Sequence, residues 1–189
     1  RGSIGGNDSL SKVPTHPFES WPPERRRRLG WVSAAAALGL GSLLLALGRP
    51  LSAPGAPHGL LSFELAADPA SLTRVLTAWG EPGRSRAVLM TWLDFPFLAA
   101  YGTVLACASL QVRGAARLPG LARGAAWAAS AAAFLDIFEN CFGLALLAGS
   151  PAAPLAALMA CCAAVKFSLL PVPLAWSAAG LFLRQPREL

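Results

Sequence analysis

The chain has 189 residues, of which 54% are apolar and only 14% charged, and its formal net charge is +6. The length suits one domain, but this composition is too apolar for a typical soluble domain and indicates a membrane protein. Ala, Leu and Gly predominate over β-branched residues, which favours helices and argues against an outer-membrane barrel. The positive charges flank apolar segments instead of forming one soluble face, so we do not expect nucleic acid as a partner.

The N-terminal part of the chain predicts a tail followed by a membrane anchor. Residues 1–28 are polar and end in four arginines, which is typical of a disordered cytoplasmic tail. Residues 29–48 are uncharged and match the hydrocarbon thickness of a bilayer. We favour a retained anchor over a cleaved signal peptide, because this apolar run is longer than a usual signal h-region. Small residues around Gly41 predict a face for close packing, and a homo- or hetero-oligomer through this helix is one expectation.

The longest connection between predicted spans, residues 49–86, contains the pattern of a shorter helix. Asp68 is a typical N-cap, and Pro69 suits the first helical position. Apolar residues then recur at helical spacing over residues 69–79, at Leu72, Val75, Leu76 and Trp79. We therefore predict an amphipathic helix at the membrane surface.

Three more apolar segments are long enough to cross a bilayer, at residues 87–110, 124–148 and 155–183. Pro171 and Pro173 should kink the last of them. The predicted fold is an all-α polytopic membrane domain over residues 29–184, with four transmembrane helices and a short second tail at 185–189.

The distribution of cationic residues predicts the orientation in the membrane. Eleven Lys and Arg residues lie in the two tails and the second connection, against four in the first connection. The positive-inside rule then places both termini in the cytoplasm of a bacterial inner membrane and residues 49–86 outside.

Histidine and cysteine give no sign of a cofactor. All four cysteines fall in apolar segments without the spacing of a disulfide framework or zinc site, and neither histidine lies in a predicted span. We therefore predict no metal and no cofactor.

The predicted spans carry polar residues that are expensive in lipid. From helix rise, Asp94 lies about 10 Å from the outer edge, Glu139 and Asn140 about 12 to 14 Å, and Asp136 and Lys166 about 16 to 18 Å. The common depth predicts one cluster inside the bundle.

Helical spacing supports this cluster. Glu139 and Asn140 follow Asp136 at i+3 and i+4 and share one face of their helix. Tyr101 follows Asp94 at i+7, so its hydroxyl is a further candidate member. Three carboxylates against one ammonium cannot all be ionised in low dielectric, which leaves two alternatives, bound protons or a bound cation.

Several short motifs resemble an uncharacterised family of small four-helix bacterial integral membrane proteins. They are Phe63-Glu64-Leu65-Ala66, Leu93-Asp94 with Phe97 and Tyr101, Leu135-Asp136 through Glu139-Asn140, and Lys166-Phe167. The similarity covers about residues 30 to 183. It implies the same architecture and makes Glu64 a candidate outer contributor to the cluster, whereas the alternative is an ordinary solvated acid.

Three functions are compatible with these features. The first is a transport or ligand-binding protein, in which the cluster takes a proton, a cation or a small polar or lipid ligand. The second is a structural or accessory subunit, in which the cluster only holds the helices together. The third is a lipid-modifying enzyme, which we disfavour because no nucleophile has an adjacent base. The lipid bilayer is the partner in all three.

Overall fold

The computed structural model describes residues 13–112, 117–149 and 153–182, and these residues form no β-strand. The predicted all-α fold is confirmed. The helices are α1 (Pro23–Gly48), α2 (Leu60–Glu64), α3 (Pro69–Gln111), α4 (Pro119–Leu147), α5 (Ala153–Leu169) and α6 (Pro171–Phe182). Four segments are long and apolar enough to span a membrane, namely Pro23–Leu51, Pro69–Gln111, Pro119–Leu147 and Ala153–Gly180.

The four long segments run antiparallel in chain order. Gly30 and Gly48 of α1 face Cys107 and Met90 of α3, so the two helices run in opposite directions. The same pattern relates α3 to α4, where Tyr101 contacts Asp136 and Asp94 contacts Asn140. It also relates α4 to α5, where Lys166 contacts Asp136 and Met159 lies beside Gly143. One end of the bundle therefore carries the connection 49–68, and we call it the loop end. The opposite end, where α1 starts, is called the terminal end.

The N-terminal segment is more ordered than predicted. α1 begins at Pro23, and Pro17–Ser20 form a single 3-10 turn, although the composition had predicted a disordered tail through residue 28. Two contacts with α4 explain the difference: Glu19 makes a two-pronged ion pair with Arg123 at 2.9 Å, and buried His16 lies 3.0 Å from Ser130. Residues 1–12 and the predicted tail 185–189 lie outside the described residues.

Helix α3 joins the predicted surface helix to the second span. The Asp68 carboxylate accepts hydrogen bonds from the backbone N–H groups of Ala70 and Ser71, which confirms the predicted cap. Leu72, Val75 and Trp79 are buried, as the amphipathic pattern predicts. The continuous helical path is broken at Gly80, where φ is 59° and ψ is −169°, and the chain then continues helically into the span.

The last span is divided, as its prolines predict. α5 ends at Leu169 and α6 starts at Pro171. Pro171 and Pro173 have no backbone N–H to bond to the preceding turn, so the ladder of helical hydrogen bonds is interrupted there.

Two apolar regions enclose the middle of the bundle. At the loop end, Leu51, Phe63, Trp79, Leu146 and Met159 belong to one buried cluster. Nearer the terminal end, Ala106, Ala126 and Ala129 form a second. The buried polar residues of α4 and α5 lie between these two layers.

Candidate functional site

A lysine with two carboxylates forms the centre of the polar cluster. Lys166 Nζ lies 2.7 Å from Asp136 Oδ1 and 2.9 Å from Glu139 Oε1, and it donates a hydrogen bond to each. All three side chains are buried, with exposed fractions of 7%, 5% and 1%. Asp136 and Glu139 are almost one turn apart on α4, so a single ammonium group from α5 reaches both.

Tyr101 of α3 completes the surroundings of Asp136. Its hydroxyl donates to Asp136 Oδ2 at 2.8 Å, so both oxygens of this carboxylate have a donor. The close approach of the helices makes this contact possible. A Cβ atom on Gly102 would lie only 2.7 Å from the methyl group of Ala133, which shows how tightly α3 and α4 pack beside the tyrosine.

Asp94 joins the cluster through an amide. Asn140 Nδ2 donates to Asp94 Oδ2 at 2.8 Å and so links α3 to α4 one turn nearer the loop end than Asp136. Asp94 is half-buried, in contrast to the lysine and its two carboxylates. The amide therefore stands between the dry centre and a more accessible acid.

Glu64, the last residue of α2, places a fourth carboxyl group against the cluster. Its side chain is half-buried, and its carboxyl group lies near Glu139 and close enough to Lys166, Asp94 and Asp136 for their charges to affect its pKa. Loss of water, helped by the negative charges of Asp94 and Asp136 and opposed by Lys166, raises the pKa of Glu64 to about 7. Glu64 is therefore a half-buried acid at the edge of the cluster.

Glu139 has one oxygen that needs a further partner. Lys166 Nζ lies 2.8 Å from Oε2, but this contact lacks hydrogen-bond geometry, and among the described residues no other donor satisfies this buried atom. A proton held between Glu64 and Glu139 would satisfy this atom, because two carboxyl groups can hydrogen-bond only when one of them is protonated.

The loop end is closed by two aromatic side chains. Phe63 of α2 and Trp79 of α3 have ring centroids 5.7 Å apart, and Trp79 Nε1 donates to the carbonyl of Leu51 at 2.8 Å. The Phe63 ring also reaches α4, where a Cβ on Gly143 would lie 3.4 Å from it. The predicted surface helix therefore contributes to a cover over the cluster.

A lateral groove reaches the cluster at Asp94 alone. It lies between α1 and α3 at the loop end, with a volume of about 580 Å³. Apolar residues line most of it, and Arg49, Ser52, His58 and Asp94 are its polar lining residues. Lys166, Asp136 and Glu139 do not line it.

All the residues predicted to form the cluster are brought together by the fold. They are Asp94, Tyr101, Asp136, Glu139, Asn140 and Lys166, with Glu64 as the outer member. Arg49, Ser52 and His58 were not predicted, because nothing in the first connection indicates that it folds back onto α1. In the described part of the chain, no three His, Cys, Asp or Glu side chains are arranged to hold a metal ion.

Comparisons with protein-family models, curated proteins and solved structures give no match to this chain. The resemblance to small four-helix bacterial membrane proteins therefore stays a prediction.

Proposed function

We propose that the protein is a membrane transport or ligand-binding protein whose buried cluster holds an exchangeable proton. The observation that carries the proposal is the meeting of four carboxyl groups with one ammonium group. Asp136 and Lys166 neutralise each other, which leaves Asp94, Glu64 and Glu139. One proton shared by the two glutamates still leaves a net charge of −2 in a region withdrawn from water, so further positive charge is favoured there.

The proton is assigned to the pair of Glu64 and Glu139. A hydrogen bond between these two carboxyl groups would need one proton, and Glu64 belongs to α2 at the loop end, outside the four spans. Glu64 is partly exposed there, so in this proposal it passes the proton between the inner carboxylate and the solution at that end. In our proposal the loop end faces the outside of a bacterial inner membrane and both termini are cytoplasmic, which agrees with the arginine distribution.

The accessory-subunit function is supported by a different observation. Lys166, Asp136 and Tyr101 form a compact, buried set of ion pairs and hydrogen bonds, which is the form expected of polar contacts between transmembrane helices. The small-residue face of α1 gives this alternative little support, since Gly41 packs against Phe97 and Ser33 is buried.

Infrared difference spectroscopy of the carboxylic-acid C=O stretch tests the proposed proton. We expect a band in the reconstituted wild-type protein that disappears as the pH rises, with a midpoint of about 7. Glu64→Gln should remove this transition and keep the fold, because the amide N–H can donate to Glu139 in place of the proton. Glu81→Gln is the matched control, since Glu81 is an exposed glutamate of the loop end outside the cluster.

Stability should follow the same titration. The pKa of Glu64 is raised by folding, so the folded state binds the proton more tightly than the unfolded state. The resulting stabilisation is full at pH values below the ordinary glutamate pKa and is lost as the pH rises through about 7. A wild-type band that does not titrate, or one that Glu64→Gln leaves unchanged, would overturn the proposal.

A further inference from the structure

The groove between α1 and α3 has the size and the opening of a lipid-accessible site. Its volume of about 580 Å³ lies within the range of small-molecule pockets in proteins. Leu45, one of its lining residues, is 75% exposed on the lipid-facing side of the bundle. A ligand can therefore enter laterally from the bilayer.

The lining of the groove is amphiphilic. Leu44 and Leu45 from α1 and Met90 and Phe97 from α3 give it long apolar walls. Hydrocarbon chains suit such walls, but an apolar ligand alone would leave the carboxyl group of Asp94 without a partner of opposite charge. The groove therefore suits a ligand with both apolar and charged parts.

Two opposite charges occur at different depths in the groove. Met90 contacts Gly48, the residue before Arg49, so Arg49 and Met90 mark the same level at the loop end. Asp94 follows Met90 by one helical turn, or about 6 Å toward the middle of the bundle. The cation thus lies at the rim and the acid about one turn below it.

Asp94 is held in place for this role. Asn140 donates a hydrogen bond to Asp94 Oδ2 at 2.8 Å from the side of the bundle. Asp94 also lines the groove. At the rim, Arg49 and Ser52 are both exposed and are suitable donors to a phosphate group. A phosphate at the rim with an ammonium group directed inward matches this order of charges.

We propose that the groove binds a phospholipid with a primary-amine headgroup. The phosphate contacts Arg49 and Ser52, the ammonium group donates to Asp94, and a hydrocarbon chain follows Leu45 and Phe97. This assignment names the ligand class and rests on the proposed function of the cluster as a binding site. A primary ammonium group is specified because a carboxylate accepts hydrogen bonds from N–H groups, which a trimethylammonium group lacks.

Lipid retention tests the assignment. The full-length protein is purified from bilayers containing equal amounts of phosphatidylethanolamine, phosphatidylcholine and phosphatidylglycerol, and the lipids retained are counted by native mass spectrometry. We expect preferential retention of phosphatidylethanolamine. Asp94→Asn should reduce this preference about tenfold, as for loss of one hydrogen bond to a charged group, while the hydrogen bond from Asn140 is kept.

A matched pair of variants on α1 tests the location. Leu45→Trp narrows the groove and should reduce retention, whereas Leu38→Trp should not, because Leu38 is 73% exposed but does not line the groove. Equal retention of the three lipids, preference for phosphatidylglycerol, or a preference that survives both Asp94→Asn and Leu45→Trp would overturn the proposal.

The lipid assignment and the proposed proton site are tested by different measurements. The carboxylic-acid band of Glu64 should remain in Asp94→Asn but titrate at a lower pH, because the negative charge that raises the pKa of Glu64 is removed. Lipid preference should persist in Glu64→Gln, because the groove lining does not include Glu64. Loss of lipid selectivity in the wild type with an intact band overturns only the lipid assignment. A missing carboxylic-acid band with intact lipid selectivity overturns only the proposed proton site.

Discussion

Lys166 is the residue on which the cluster depends, because its single positive charge is shared by two buried carboxylates. Ion pairs of this kind add little net stability compared with apolar packing, but removing one partner leaves uncompensated charge in low dielectric. Asp136 would retain the Tyr101 hydroxyl as a donor, whereas Glu139 would lose its hydrogen bond from Lys166 and keep only the proposed one with Glu64.

We therefore expect Lys166→Met to lower the free energy of unfolding by about 3 to 5 kcal/mol. The measurement is reversible unfolding in detergent, or thermal melting where unfolding is irreversible. Val165→Met is the control, since Val165 precedes the lysine, lies about 100° around the helix from it and is exposed. Adding Asp136→Asn and Glu139→Gln to Lys166→Met should recover much of the loss. A stable single variant would show that the carboxyl groups are already neutral.

At the scale of elements, Gly80 joins two helical segments with different surroundings. The part of α3 before it buries Trp79 in the cover, and the part after it carries Asp94 and Tyr101. Its backbone, with φ of 59° and ψ of −169°, occupies a region that is essentially restricted to glycine. The cover and the wall of the groove are therefore oriented by one residue.

Gly80→Ala should destabilise the protein by about 1 to 3 kcal/mol, because alanine is strained in this conformation. Gly124→Ala is the control: Gly124 is helical, and a Cβ there would meet no atom within 4 Å. Replacement at Gly124 should be neutral or stabilise by up to about 1 kcal/mol. The two variants are compared by thermal melting under the same conditions. Equal melting temperatures would contradict the prediction that alanine is strained at position 80.

The sequence predicted much of the site because helix rise and alternating direction fix the depth of a residue within a span. Asp94, Asp136 and Lys166 could be placed together on that basis. Depth does not say how a loop folds, so the positions of Glu64 and Arg49 were open until α2 and the first connection were seen. The ordered structure of residues 13–22 was also not predicted, since it depends on long-range contacts such as that of Glu19 with Arg123.

At the scale of the whole molecule, the bundle has two unlike ends. The loop end holds the cover, Glu64 and the groove. The terminal end holds the N-terminal segment, whose His16 ring meets the Trp127 ring edge to face, with ring centroids 4.9 Å apart. The proposed function assigns the first end to the outside of the cell.

Cysteine labelling tests this orientation. In a background in which the four native cysteines are replaced, His58→Cys and Arg117→Cys place thiols on exposed residues of opposite ends. A membrane-impermeant maleimide should label position 58 in intact cells and position 117 only after the membrane is opened. The reverse pattern would place the loop end in the cytoplasm and remove the basis for proton entry from outside through Glu64.

The peripheral position of α1 has a consequence for how the protein keeps the membrane sealed. α1 makes its main contact with α3, and Ser33 is its only buried residue. A small outward movement of α1 would widen the groove beside Asp94, while the packing of α3, α4 and α5 around Lys166 stays as it is. A lipid could then be exchanged without opening a path for water or ions through the centre of the bundle.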